Sequence, residues 1–179
     1  MESDRIFLVG PMGAGKSTVG KRLAQTLGLE FVDSDRALEE RTGARIPLIF
    51  ELEGETGFRQ REAAIIDELT QQPGLVLATG GGAVVTPANR RYLAERGTVV
   101  YLETSVDRQL ARTRHDKNRP LLQTANPQAR LAELLAQRDP LYREIADIIA
   151  NTDHGKPNTV VKAIVSQLKS SPQSSYGRT

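Results

Sequence analysis

Residues Gly10 to Ser17 read Gly-Pro-Met-Gly-Ala-Gly-Lys-Ser. The pattern is G-x-x-x-x-G-K-[ST], a phosphate-binding P-loop, and its surroundings are those the mechanism requires. Ile6-Phe7-Leu8-Val9 precedes it as a short apolar strand, and from Thr18 to Leu27 the residues Val19, Leu23, Ala24 and Leu27 share one helical face. Strand, loop and helix turn the string into a site. Glycines let the backbone wrap close to phosphate oxygens, with N–H groups aimed inward. The helix N-terminus adds partial positive charge. On this reading Gly13, Ala14, Gly15, Lys16, Ser17 and Thr18 hold the phosphates of a nucleotide. Lys16 reaches the outer phosphates and the Ser17 hydroxyl binds Mg²⁺. The alternative is a chance match in a glycine-containing turn, which the flanking strand and helix oppose.

The chain of 179 residues is long enough for one domain with a core. Hydrophobic residues make up 39% and charged residues 26%, as in soluble globular proteins. Aromatics are 4% with no Trp, so the core must be mainly Leu, Ile, Val and Ala. A formal net charge of +2 is too small to imply a nucleic-acid or membrane partner. With no Cys there is no disulfide framework and no thiolate metal site, which fits a cytoplasmic protein. The polar start, Met1-Glu2-Ser3-Asp4-Arg5, does not read as a signal peptide or a membrane span.

Short apolar runs alternate with helical stretches. The expected strands are Ile6 to Val9, Glu30 to Val32, Leu75 to Ala78, Val99 to Leu102, and Ile145 to Ala150, the last also readable as a helix end. Ser34 or Asp35 is expected to cap a helix over Arg36 to Arg41, and Gly43 to end it. Arg59 begins a helix with Ala63, Ile66 and Leu69 on its apolar side. Pro87 opens another, Ser105 caps Val106 to Arg112, Ala129 to Ala136 forms a further one, and Pro157 begins the last. Strands alternating with helices predict a parallel α/β sandwich. Residues 170–179, Ser-rich with Pro and Gly, read as a disordered tail.

Other constellations gather at strand ends, where open parallel sheets bind ligands. Asp33 and Asp35 end the second strand. One carboxylate can hold Mg²⁺ through water, and the other can accept a proton from an attacking hydroxyl. Plain helix capping by Asp35 is the competing reading. Gly80-Gly81-Gly82 follows the third strand and either admits a ligand closely or forms a flexible turn. Arg59 and Arg138 suit bidentate recognition of a carboxylate, although each alone reads as a solvated surface charge. The polar stretch His115 to Pro127, with Lys117 and Arg119 and Arg112 and Arg114 just before it, reads as a lid over a nucleotide or as an ordinary loop.

Taken in order, the P-loop, Asp33-Ser34-Asp35, Gly57-Phe58-Arg59-x-x-Glu62, Gly80-Gly81-Gly82, Arg119-Pro120-Leu121-Leu122 and Arg138-Asp139-Pro140-Leu141-Tyr142 resemble the shikimate kinases. The resemblance spans residues of about 5 to 168. It implies a nucleoside-monophosphate-kinase-like P-loop NTPase fold, a three-layer sandwich with a five-stranded parallel sheet. It implies transfer of the ATP γ-phosphoryl to the 3-hydroxyl of shikimate, on the route to chorismate and aromatic amino acids. By resemblance, Lys16 and Arg119 meet the transferring phosphate, and Ser17 and Asp33 hold Mg²⁺. Asp35 binds shikimate and is the candidate base. Arg59 and Arg138 clamp its carboxylate, with Gly81 and Gly82 nearby, and Arg112 and Pro157 flank adenine. The implied organisation is a single domain over residues 1–169, with a shikimate-binding subdomain at about 34–62 and a lid at about 113–126. A monomer with ATP and shikimate as its partners is expected. The family often has a polar residue near Leu48, and the tail after Leu168 is not a family feature.

Two other readings compete. A kinase of the same architecture could act on gluconate or a nucleoside monophosphate. A nucleotide-binding module could bind ATP and transfer nothing, but both Asp35 and Arg119 are present, which favours an enzyme. The Asn-Lys-x-Asp guanine motif of GTPases is missing.

Overall fold

Continuous apolar runs belong to strands covered on both faces, and alternating ones to sheet edges. The computed structural model, which describes residues 4–116 and 122–170, follows that rule. Strands β1 (Arg5–Val9), β3 (Leu75–Ala78) and β4 (Thr98–Glu103) are buried along nearly their whole length. The strands β2 (Glu30–Asp33) and β5 (Ile148–Asn151) are exposed at part of theirs. The five-stranded order is β2-β3-β1-β4-β5, and every pairing is parallel.

The period of two divides the core into layers. Phe7 and Val9 pack with Leu75, Leu77, Val99 and Tyr101 on one face, against helices α3 (Ile46–Leu69), α4 (Pro87–Arg96) and α6 (Pro127–Ile145). Ile6 and Leu8 pack with Val76, Val100 and Leu102 on the other, against α1 (Lys16–Leu27) and α7 (Pro157–Ser170). The result is the three-layer α/β sandwich expected from the sequence. A smaller cluster of Met12, Leu122, Leu131 and Leu134 seats the P-loop on α6, with Val106 and Leu110 of α5 (Val106–Thr113) packed against it. Helix α2 (Ser34–Thr42) follows β2 directly. Among the described residues no helix is long and apolar enough to cross a membrane.

Several boundaries differ from the sequence reading. The cap of α2 is neither Ser34 nor Asp35 but Asp33, whose side chain accepts from the N–H groups of Asp35 and Arg36. A strand-end aspartate two or three residues before those donors reaches them best. Arg59 does not begin a helix. It lies inside α3, which starts at Ile46 and bends at Gly54, where φ of +69° interrupts the helical backbone. Glycine adopts that conformation without the Cβ penalty other residues meet. Ile145 closes α6 rather than opening β5, and α6 is far longer than the predicted Ala129 to Ala136. The helix C-terminal to Ser105 is capped as expected, its hydroxyl accepting from the Arg108 N–H. Residues 171–179 of the expected tail lie outside the described residues.

Candidate active site

The strand order sets β1 between β3 and β4, so the loop after β1 opens at the centre of the sheet's carboxyl edge. In that loop Gly13 and Gly15 hold φ of +79° and +88°, and Gly15 is the N-cap of α1. No acidic residue sits in the first turn of α1, so its positive end is left for an anion. The Lys16 ammonium donates to the carbonyls of Gly10 and Pro11 at 2.6 and 2.9 Å. The Ser17 hydroxyl donates to Asp33 Oδ2 at 2.7 Å. Asp33 Oδ1 meanwhile receives the Asp35 and Arg36 N–H groups at 3.0 and 3.2 Å. Ser17 and Asp33 thus set two oxygens side by side at the mouth of the loop. That donor set fits Mg²⁺, which takes few protein oxygens and keeps water and phosphate as its other ligands.

A cavity of about 700 Å³ runs along this edge. Arg112 and Pro157 wall one end, and Asp35, Gly80 and Gly81 the other, with Gly13 to Thr18 between them. Arg112 donates to the carbonyls of Gly13 and Thr152 at 2.9 and 2.7 Å. Thr152 Oγ1 in turn donates to the Ala14 carbonyl at 2.9 Å. The segment after β5 is therefore bound to the P-loop backbone. Nothing in the sequence pattern marks Thr152 for this, because the pairing spans 138 positions.

The glycine run after β3 is enclosed on several sides. The Ser34 hydroxyl accepts from the Gly80 N–H at 3.1 Å, joining the ends of β2 and β3. A Cβ on Gly80 would sit 2.6 Å from Asp35 Oδ1 and 3.1 Å from Glu62 Oε2. One on Gly81 would lie 3.2 Å from the Met12 nitrogen, and one on Gly82 would overlap the Arg59 guanidinium. Protein atoms pack closely against all three glycines, so none of them has room for a side chain.

Behind it lies a buried cluster of charge. Glu62 is 1% exposed, and its Oε1 accepts from Arg59 Nη1 at 2.9 Å. Arg59 also reaches Glu55 at 3.4 Å. Arg138 is 5% exposed, against the sequence reading of a solvated charge, and the Arg59 side chain is largely covered too. Both are buried because α3 and α6 present them inward, each from a helix whose neighbouring positions fill the core. Burial holds the Arg138 pKa below its ordinary value, and Arg59 pushes it the same way. Burial pushes Glu62 up to about 7, with Arg59 opposing and Asp35 adding to the rise. Among the described residues Arg59 Nε and Glu62 Oε2 lack a hydrogen-bond partner. Two buried guanidinia, Arg59 and Arg138, therefore lie among three carboxylates, Glu55, Glu62 and Asp35, of which Glu62 is the one burial holds back from ionising.

Of the predicted site residues, the structure gathers Gly13, Ala14, Gly15, Lys16, Ser17, Thr18, Asp33, Asp35, Gly81, Arg112 and Pro157 around one cavity. Arg59, Gly82 and Arg138 are outside its wall. Arg59 adjoins Gly82, and Arg138 lines a narrow crevice with Pro11, Met12 and Tyr142. Arg119 lies outside the described residues, as do its neighbours 117–121 of the expected lid. Glu62 belongs to this cluster, and sequence reasoning leaves it without a role. Its spacing of three from Arg59, given that both lie within one helix, is the signal that pairs them.

A family model for shikimate kinase matches residues 12–169. The chain is 65% identical over 168 residues to the shikimate kinase of Halorhodospira halophila, covering 94% of this chain and 95% of that one. It superposes with a TM-score of 0.93 on a solved shikimate kinase from Acinetobacter baumannii in complex with shikimate. That protein is 54% identical, with 95% of each chain covered. A gluconokinase from Sinorhizobium meliloti 1021 has a TM-score of 0.64 at 20% identity, a likeness that bears on the fold alone.

Proposed function

The chain belongs to the shikimate kinase family and carries out ATP-dependent phosphorylation of shikimate, and we propose how its own residues divide that task. The observation that carries the reading is the meeting, at the glycine run 80–82, of a P-loop cavity with a buried pair of guanidinium groups, Arg59 and Arg138. A small polyhydroxy carboxylate needs both guanidinium forks and a hydroxyl-binding carboxylate.

Gly13 to Thr18 and Lys16 hold the β- and γ-phosphates, while Arg112 and Pro157 flank the adenine. Arg59 and Arg138 receive the shikimate carboxylate, beside the backbone of Gly81 and Gly82. Asp35 orients the 3-hydroxyl. As the acceptor oxygen bonds to the γ-phosphorus and the bridge to the β-phosphate breaks, the Asp35 carboxylate takes the hydroxyl proton. Such transfer demands mainly position and charge neutralisation. Ser17, and Asp33 through water, hold Mg²⁺, which when bound offsets negative charge on the phosphates. Arg119 supplies a further positive charge from a lid of about 113–126, and residues of about 34–62 form the acceptor-binding subdomain. The enzyme acts as a cytoplasmic monomer, without nucleic-acid or membrane partners.

The test offers ATP–Mg²⁺ with shikimate, gluconate or a nucleoside monophosphate separately and follows ADP in a coupled assay. Turnover with shikimate alone, lost in Lys16→Ala and in Arg138→Ala, is expected. Full shikimate turnover in Arg138→Ala would remove the acceptor-site assignment.

A further inference from the structure

Tyr142 is fully enclosed beside the acceptor cluster, at 0% exposure. Its hydroxyl donates to the Gly81 carbonyl at 2.5 Å, across 61 positions of sequence. Burial raises its pKa, so the phenol remains protonated and remains a donor. The Gly81–Gly82 peptide is trans, so a carbonyl held toward α6 turns the Gly82 N–H to the opposite side. On Gly82 itself the Arg59 guanidinium sits so close that a Cβ would overlap it. One turn before Tyr142 on α6 is Arg138, and the two side chains share a crevice with Pro11 and Met12. They are near enough to act on each other's charge.

We propose that Tyr142 is a positioning residue for the acceptor, its hydroxyl fixing both the Gly81–Gly82 peptide and the Arg138 guanidinium. The inference rests on the acceptor-site reading above. It gives the buried hydroxyl a task distinct from that of the ring. The ring stacks on Tyr101 with centroids 4.9 Å apart and is part of the core. Tyr101 provides an internal contrast. Its hydroxyl donates to Asp139 Oδ1 at 2.7 Å, and Asp139 is also held by Arg143, away from the glycine run. Two stacked tyrosines of similar burial thus serve different hydroxyl partners.

The experiment compares Y142F, Y101F and R138K with the parent, each by steady-state kinetics in both substrates and by thermal melting. In Y142F the shikimate KM is expected to rise about tenfold, the effect of one lost buried hydrogen bond. Its kcat and its ATP KM should stay near parental values. Y101F should melt earlier yet keep the parental shikimate KM. In the double variant Y142F/R138K the two KM effects should combine to less than their product, because both act through Arg138. Glycine-selective ¹⁵N labelling gives a second readout that needs no turnover: the Gly81 and Gly82 amide resonances should move in Y142F and stay in Y101F. A parental shikimate KM in Y142F beside a raised one in R138K would overturn the proposal. So would equal KM increases in Y142F and Y101F, which would assign the effect to the stack. A parental KM in R138K would instead overturn the acceptor-site reading beneath it.

Discussion

Gly80 lies against Asp35 so tightly that a Cβ added to the glycine would sit 2.6 Å from the aspartate Oδ1. The third strand's end and the second helix's first turn are therefore in contact at the point where the candidate base is held. Replacing Gly80 by Ala must push Asp35 or Glu62 aside. The expected result for Gly80→Ala is a loss of about 10² in kcat/KM for shikimate, the scale set by a misplacement of about 1 Å. ATP binding, measured by titration, should be unchanged. Parental kcat/KM would show that Asp35 tolerates displacement.

Asp35→Asn keeps the shape of the side chain and removes its basicity. Its kcat should fall by about 10² to 10⁴, the range for a lost general base, while the ATP KM stays within about twofold. An equal loss in both parameters would leave Asp35 with only a structural role at the start of α2.

Glu62 yields a pH signature. Its pKa in the folded protein is pushed up to about 7 from an ordinary 4.5, chiefly by burial, with Asp35 adding to the rise and Arg59 and Arg138 opposing it. Between those two values the folded protein keeps a proton that the unfolded chain has released. Stability contributed by that proton is present below the unfolded value and is lost as pH rises through the folded one. The loss is on the order of 3 kcal/mol, because each pH unit separating the two values carries about 1.4 kcal/mol. Relative to Glu62→Gln, the parent should lose melting temperature as pH is raised from about 5 to 8. Melting curves that keep a constant offset over that range would show that Glu62 is ionised throughout.

Arg112 ties the P-loop to the segment after β5 through the carbonyls of Gly13 and Thr152. Arg112→Ala should raise the ATP KM by about tenfold through loss of charge-assisted hydrogen bonds. The shikimate KM should not follow. A matched rise in both would place Arg112 in the general stability of the loop.

Much of this architecture can be read from residue patterns, and the exceptions share a physical cause. The P-loop, its strand and its helix are local, so adjacent residues announce them. Asp33, Asp35 and the glycine run fall at strand ends, where parallel sheets bind ligands. The contacts that shape the buried charge cluster are distant in the chain. No periodicity shows that Tyr142 reaches Gly81 or that Thr152 reaches Ala14. Arg59 and Arg138 read as solvated because arginine usually is, and only the packing of α3 and α6 reveals them as buried. The α2 cap lies one or two residues from its expected place because Asp33, Ser34 and Asp35 are all good caps. Tertiary partners choose among them: Ser34 is committed to Gly80, and Asp33 caps with one oxygen while the other takes Ser17.

That shared aspartate has a mechanical meaning. Asp33 joins the first turn of the nucleotide-binding helix to the first turn of the helix that carries Asp35, one oxygen for each. The starts of the two helices are thereby referenced to a single side chain rather than to two separate ones. A change at Asp33 would therefore disturb the starts of both helices at once.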